Sequence, residues 1–515
     1  MASGATDAAA PIALTGRDLT PDAVAAIARA RAPVALSAEA RQRVEDGHGL
    51  LARMIADGTP IYGVTTGFGA LDGSRVPPEK NRALQHNLLK SHAAGTGAPM
   101  AEDAARAMMA VRANVLASGV TGVSPAALDA LLAMLTAGVV PHVPERGSVG
   151  ACGDLAPLAH MALPLIGEGR ARRGDEARWR PGGEVMAEAG IALAGIDGRD
   201  GIALINGTEQ TTGIGCLAAV DARRAIALAE AAAALVMEAV GALDDSFDRR
   251  TALAKPHPGQ MTTSAALAHW TEGSAAVGPP RPDRLRDALS LRCVPQVLGA
   301  ARDMLDTAIA GLTVEINAVN DNPIFGLTDG WVTSNSGNFH GQRAGELLDA
   351  LATSLISVAV MSERRAARLV DPHHNAGLPA FLIHPDAAPG ENSGFMIAQY
   401  TAASLVAELR MNAIPASIQS VPTCANTEDH VPMAPLAARR AAFAVDTALD
   451  VVAIEVLLAC QALDIRRLAP APALAPVYEA VRARVPTMVA DRVMAEDIAA
   501  ARDALDGVDA AALAL

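Results

Sequence analysis

The stretch 436–466 keeps apolar residues at three- and four-residue spacing over a length that spans a helix bundle, and nothing else in the chain limits the possible folds as much. The same period runs through 211–243, 343–369 and 393–411. Hydrophobic residues make up 51% of the 515 residues but aromatic ones only 3%, so the apolar mass is Ala, Leu and Val. Small side chains of this kind let helices approach closely. No repeat of roughly 20–50 residues and no heptad series is evident, which argues against a solenoid. The expected class is mainly α, with a long up-down central helix bundle and Gly-rich loops gathered at one end.

Three consecutive regions are expected: a loop-rich helical region at 1–200, the long-helix bundle at 201–470 and a helical tail at 471–515. Thr20 before Pro21-Asp22 reads as a helix N-cap with proline in the first turn. An amphipathic helix is predicted over 79–92, and another helix from Asp154. Residues 166–200 are polar and broken by Gly and Pro, as in a surface loop or short hairpin.

With 42 Lys+Arg against 56 Asp+Glu, the formal charge of −14 opposes a nucleic-acid partner. The few aromatic rings serve base stacking poorly. The apolar stretches 225–243 and 451–463 carry Glu230, Glu238 and Glu455, so they read as buried helices and no membrane partner is expected. The first residues lack a basic segment ahead of an apolar run, and five scattered cysteines form no CxxC pair; both suit the cytoplasm. The histidines have no ligand spacing, and no metal is expected.

The segment Gly147-Ser148-Val149-Gly150-Ala151-Cys152-Gly153-Asp154 concentrates the chemical signals. Its three glycines allow tight turns. A helix starting at Asp154 would place its positive end beside Cys152, an arrangement that lowers a thiol's pKa. By themselves these residues fit a reactive cysteine, an anion-binding turn or a helix start with a buried cysteine.

This segment resembles the signature of the histidine and phenylalanine ammonia-lyase superfamily, in which an Ala-Ser-Gly triplet cyclises into methylidene-imidazolone. The similarity runs from about residue 10 to 470. It takes in Tyr62-Gly63-Val64-Thr65-Thr66-Gly67-Phe68-Gly69, Ser91-His92, Asn206-Gly207-Thr208, Ser290-Leu291-Arg292-Cys293, Asn338-Phe339-His340 and Glu428-Asp429-His430. Ser91-His92 and Glu428-Asp429-His430 resemble the histidine-specific branch, which implies a small imidazole amino acid or betaine as substrate.

From the resemblance, Tyr62 is the base for the β-proton, Arg292 holds the substrate carboxylate and Asn206 orients its oxygens. Phe339 packs on the ring, while His92 and Glu428 bind the imidazole edge, with Glu428 counted as catalytic. Ala151, Cys152 and Gly153 are the precursor of the prosthetic group, if it forms. The resemblance also implies a homotetramer whose sites draw on several subunits. Taken as residues alone, His92 also fits a satisfied core histidine, Glu428 a cap or surface acid, and Arg292 a structural ion pair.

Two departures bear on the chemistry. The cyclising serine is Cys152, and the tyrosine expected before Ser-Leu-Arg-Cys is Leu289, which offers no hydroxyl. Glu209 stands where a neutral amide is common, and Ala407-Glu408-Leu409-Arg410 replaces Ser-Glu-Asn-Lys. Changes at the electrophile favour the ergothionase-like branch, which converts ergothioneine to thiourocanate and trimethylamine without the prosthetic group. The alternatives are a histidine ammonia-lyase giving urocanate and ammonia, with the group formed from Ala151-Cys152-Gly153, and a catalytically silent imidazole-binding homologue.

Overall fold

The computed structural model describes residues 10–282, 284–388, 390–509 and Leu513. The protein is mainly helical, and its strands are short. Thr20 caps the helix Pro21–Arg29 by accepting the Ala23 amide at 3.1 Å, with proline in the first turn. The long periodic stretches form helices at Glu209–Val240, Gln342–Val370, Met396–Met411 and Ala434–Arg466. The third begins later than its sequence pattern because Asp491 takes the amides of Ser393 and Gly394 at 2.6 and 3.0 Å, and Gly394 is left-handed. Within 166–200 a hairpin does form, Arg170–Arg173 pairing antiparallel with Arg180–Pro181. Val139–Pro141 adds a third strand that the local sequence did not signal.

By its contacts the chain divides into two units that interleave along the sequence instead of following one another. The first comprises residues up to Val220, Ile309–Asp349 and Pro415–Arg439; the second comprises Asp221–Ala308, Ala350–Ile414 and Arg440–Leu515. The division departs from the regions 1–200, 201–470 and 471–515 because the long helices carry the chain from one unit to the other.

In the second unit the helix interiors are dense in small residues: Ala231, Ala232, Ala233 and Ala234 are fully buried, as are Ala453, Ile454 and Val456. The acids interrupting these apolar runs are buried with partners. Glu230 accepts from Arg302 at 2.6 Å and from the Thr263 hydroxyl at 2.7 Å. Glu238 accepts the Ala471 amide at 3.0 Å, and Glu455 takes two bonds from Arg365, one of 2.9 Å. In the first unit Arg199 grips Asp321 through two bonds of 2.7 Å, and Arg112 reaches Glu209 at 2.6 Å. The helix Gln342–Val370 is long and apolar enough to cross a membrane, but 56% of its most apolar window is buried in the structure, as in a core helix.

Deleting one partner of a buried ion pair leaves a charge with neither water nor counter-ion. Arg365→Ala is therefore expected to cost about 3–5 kcal/mol, because Glu455 stays buried. Denaturant unfolding of the two proteins checks this, and a loss under about 1 kcal/mol, the surface-pair range, would contradict it.

Candidate active site

The glycine-rich turn is built by three segments of the first unit that meet it through backbone bonds. Met433 N donates to Val149 O at 2.8 Å, Gly341 N to Gly150 O at 3.2 Å and Asp154 N to Gly207 O at 2.5 Å. Gly150, Cys152 and Gly153 all have left-handed φ, of 78°, 53° and 75°. A Cβ on Gly153 would overlap the Gly207 backbone, so only glycine fits there. Asp154 ends the turn. Its carboxyl accepts from the Thr211 amide at 2.8 Å and the Ser148 hydroxyl at 3.0 Å, and makes no cap bond to the helix Leu155–Ala162 that follows. Burial raises its pKa to about 7, against the pull of those donors.

Tyr62 is placed by the helix Asn81–His92. Buried Gln85 donates to Gly63 O and Asn81 to Val64 O, each at 2.9 Å, which pins the Tyr62 loop to the helix. The Tyr62 ring meets Phe68 edge-on with centroids 6.1 Å apart, and its oxygen accepts the Gly69 amide at 2.8 Å. Burial raises the phenol's pKa above its ordinary value. The Gly69 N–H opposes the shift; Cys152, Cys424 and Asp72 add to it.

His92 lies at the far end of that helix. Ser91 Oγ spends its proton on Leu88 O at 3.1 Å and stands 3.1 Å from His92 Nδ1. This bookkeeping makes Nδ1 the donor and leaves Nε2 an acceptor on the neutral ring. Burial keeps the ring neutral, with Leu88 O and Glu428 pulling the other way.

Glu428 ties these groups together. Its carboxylate accepts the Thr423 hydroxyl at 2.6 Å and stands close enough to the Cys152 thiol and to His92 to act on both electrostatically. The thiol's pKa is pushed far up, first by burial and then by Glu428. Of the three readings the residues left open, this disfavours the reactive cysteine: the short helix beyond Asp154 is outweighed by desolvation and a neighbouring carboxylate. The loop carrying Thr423 is strained, with Cys424, Ala425 and Asn426 successively left-handed, and it abuts Gly69. Thr423 and Cys424 were not anticipated; their sequence carries no signal beyond nearness to Glu428.

Asn206 is buried and immediately precedes Gly207, the residue that contacts the turn. Its amide nitrogen donates to Asn322 O at 2.9 Å, while its oxygen is buried without a partner. The free atom is an acceptor, so it suits an N–H or O–H of a ligand better than the carboxylate oxygens assigned to it from sequence. Phe339 is half-buried just before Gly341. His340 and His430 stack with centroids 5.4 Å apart, a pair the sequence reading quoted without a role. Arg292 and Leu289 belong to the second unit, on the short helix Leu289–Arg292; Leu289 is 61% exposed.

The turn has the parts that cyclisation requires. It offers a carbonyl on buried Ala151, a glycine amide at Gly153 held against Gly207, and a leaving group on the Cβ of Cys152. Ala151, Cys152 and Gly153 thus fit the prosthetic group and would carry it. Among the described residues no group of three His, Cys, Asp or Glu could hold a metal ion.

Comparison with known proteins places this geometry. A profile of the family described as aromatic amino acid lyase matches residues 19–483. A histidine ammonia-lyase from Treponema denticola is 42% identical over 489 residues, covering 95% of each chain. The crystal structure of tyrosine aminomutase from Streptomyces globisporus superposes with a TM-score of 0.92 at 38% identity, covering 96% of this chain and 97% of that one. Ergothionase from Treponema denticola has the same fold, with a TM-score of 0.89 at 25% identity and coverage of 96% and 99%. The chain belongs to the aromatic amino acid lyase family, on its histidine branch, and is a carbon–nitrogen lyase.

Proposed function

We propose that the protein eliminates ammonia from histidine to give urocanate. The observation carrying this reading is Glu428, whose carboxylate acts electrostatically on both the Cys152 thiol and His92, so that an acceptor for an imidazole N–H stands at the glycine-rich turn. The 42% identity to a histidine ammonia-lyase supports it over the trimethylamine-releasing reading preferred on sequence alone.

Tyr62 oxygen takes the β-proton, the C–H electron pair becomes the new double bond, and the carbon–nitrogen bond breaks with its electrons leaving on the amine. Ala151, Cys152 and Gly153 would carry methylidene-imidazolone, formed with loss of one water and one hydrogen sulfide, and it would supply an electrophile that makes the amine a better leaving group. Glu428 accepts an imidazole N–H, Phe339 covers the ring and Arg292 holds the carboxylate in a bidentate pair. The working form on this reading is a cytoplasmic homotetramer. Size-exclusion with light scattering tests the assembly.

A second reading keeps one observation in its favour. Glu428 and the Nε2 of His92 are both acceptors, matching the two N–H groups of a 2-thioimidazole in its thione form. The trimethylammonium group of ergothioneine has no lone pair to bond an electrophile and leaves as neutral trimethylamine, which suits a Cys152 that stays a thiol. Intact mass separates the two. A chain short by one water and one hydrogen sulfide that turns histidine into urocanate supports the first; an unmodified chain releasing trimethylamine from ergothioneine moves the assignment to the second.

Loss of the base is expected to lower kcat by about 10²–10⁴-fold in Tyr62→Phe, with urocanate binding retained. Steady-state kinetics beside a binding titration check this, and equal rates would remove Tyr62 from the mechanism. The phenol's raised pKa means that the active phenolate is scarce at neutral pH and grows as pH rises. The kcat/KM of wild type should therefore climb from neutral into alkaline pH in proportion to phenolate. A pH–rate profile that is flat there would show that another group accepts the proton.

A further inference from the structure

His160 lies in the last turn of the helix Leu155–Ala162, which the glycine-rich turn leads into, and it has no part in the chemistry above. Its half-buried ring accepts the Gly95 amide on Nε2 at 3.1 Å. Gly95 is three residues beyond His92, in the tight connection that ends the helix Asn81–His92 and starts the strand Thr96–Pro99. An N–H donated to Nε2 puts the ring's own proton on Nδ1, so His160 holds Gly95 as the neutral imidazole. Burial, with His142 nearby, lowers the ring's pKa to about 4 and keeps it in that form.

Further contacts close on the same connection. Ala94 N donates back to His92 O at 2.8 Å. Gly95 and Gly147 meet backbone to backbone: a Cβ on Gly147 would stand 2.9 Å from Gly95 Cα, and one on Gly95 3.1 Å from Arg146 O. Beyond them Thr96–Pro99 pairs antiparallel with Pro144–Arg146, the strand that runs into Gly147. The connection 93–95 therefore ties His92 to both ends of the glycine-rich segment, through backbone at Gly147 before the turn and through the His160 side chain after it. Of these ties the His160 bond alone is made by a side chain, so a substitution can remove it and leave the backbone pairing in place. An amide left without its acceptor is costly, and the connection shifts to find another.

We propose that His160 is a positioning residue for the ring-binding edge of the site: by holding Gly95 it sets how far His92 stands from the Ala151-Cys152-Gly153 turn. His160 touches no substrate and acts through His92. This part for His160 deepens the imidazole reading and rests on it, because that reading gives His92 the ring. Linking the ring binder to the turn through a helix fixes the register between the ring and the reacting carbons, which elimination requires.

A double-mutant cycle on urocanate affinity, read by calorimetric titration of the whole enzyme, tests the assignment. His160→Leu, which removes the acceptor and keeps most of the bulk, is expected to weaken urocanate about three- to tenfold, the range of one neutral hydrogen bond. His160→Asn, too short to reach Gly95, repeats the comparison with a polar side chain. His160→Gln, whose Oε1 can accept the same amide, should recover most of the loss. In a His92→Ala background His160→Leu should change nothing further, because its effect passes through the absent ring. A merely structural histidine would weaken urocanate by the same factor with or without His92, and that additive result overturns the proposal. So does wild-type affinity in His160→Leu, or a His160→Gln variant no better than His160→Leu. If His92→Ala itself binds urocanate as tightly as wild type, the placing of the ring on His92 falls, and the proposal with it.

Discussion

The contact between Gly153 and Gly207, two glycines whose backbones touch with no room for a Cβ on Gly153, is the constraint on which the site depends. It lets the Asp154 amide reach Gly207 O and holds the Ala151-Cys152-Gly153 turn in a left-handed conformation that an ordinary residue would resist. The position of Gly207 is defended from the other side by the buried Arg112–Glu209 pair, whose atoms fill the place a side chain would take. Glu209, an ionisable residue where a neutral amide is common, therefore has a structural reason: it neutralises a fully buried guanidinium directly behind the turn.

Burial governs the electrostatics of the turn more than any charge does. It raises the pKa of the Tyr62 phenol, the Cys152 thiol and the Asp154 carboxyl, and keeps His92 neutral. Burial thus favours the uncharged form of each of these groups, with Glu428 as an acceptor beside them. The thiol is a poor nucleophile in such a place. Its better-suited chemistry is to serve as the leaving group of a cyclisation or to remain inert, and the two readings of the reaction divide on that point.

One helix does two jobs for this arrangement. Asn81–His92 binds the Tyr62 loop through Asn81 and Gln85 at one end and presents His92 at the other, so one helix fixes both Tyr62, the proposed base, and His92, the proposed partner of the ring. Rigid elements locate reacting groups more tightly than loops do, and proton abstraction from carbon depends on such placement. The strained run Cys424-Ala425-Asn426 sits between that loop and Glu428, where local strain is tolerated because the backbone on both sides is held by bonds to Thr423.

The helices were legible in the amino-acid order because 3.6-residue periodicity is a local property, and Glu209–Val240 and Ala434–Arg466 lie close to where their patterns put them. The same holds for Thr20, Tyr62, Cys152, His92 and Glu428, which short motifs single out. What the order could not state is which distant residues face each of these. The state of the Cys152 thiol was left open by its neighbours in sequence, since it is set by burial and by Glu428, which lies more than half the chain away. Likewise, the acceptor left open on Asn206 depends on Asn322, and the division into interleaved units depends on long helices shared between them. Residue types and local spacing are written along the chain; desolvation, orphaned polar atoms and charge balance arise only when remote segments exclude water together, so tertiary structure alone decided those.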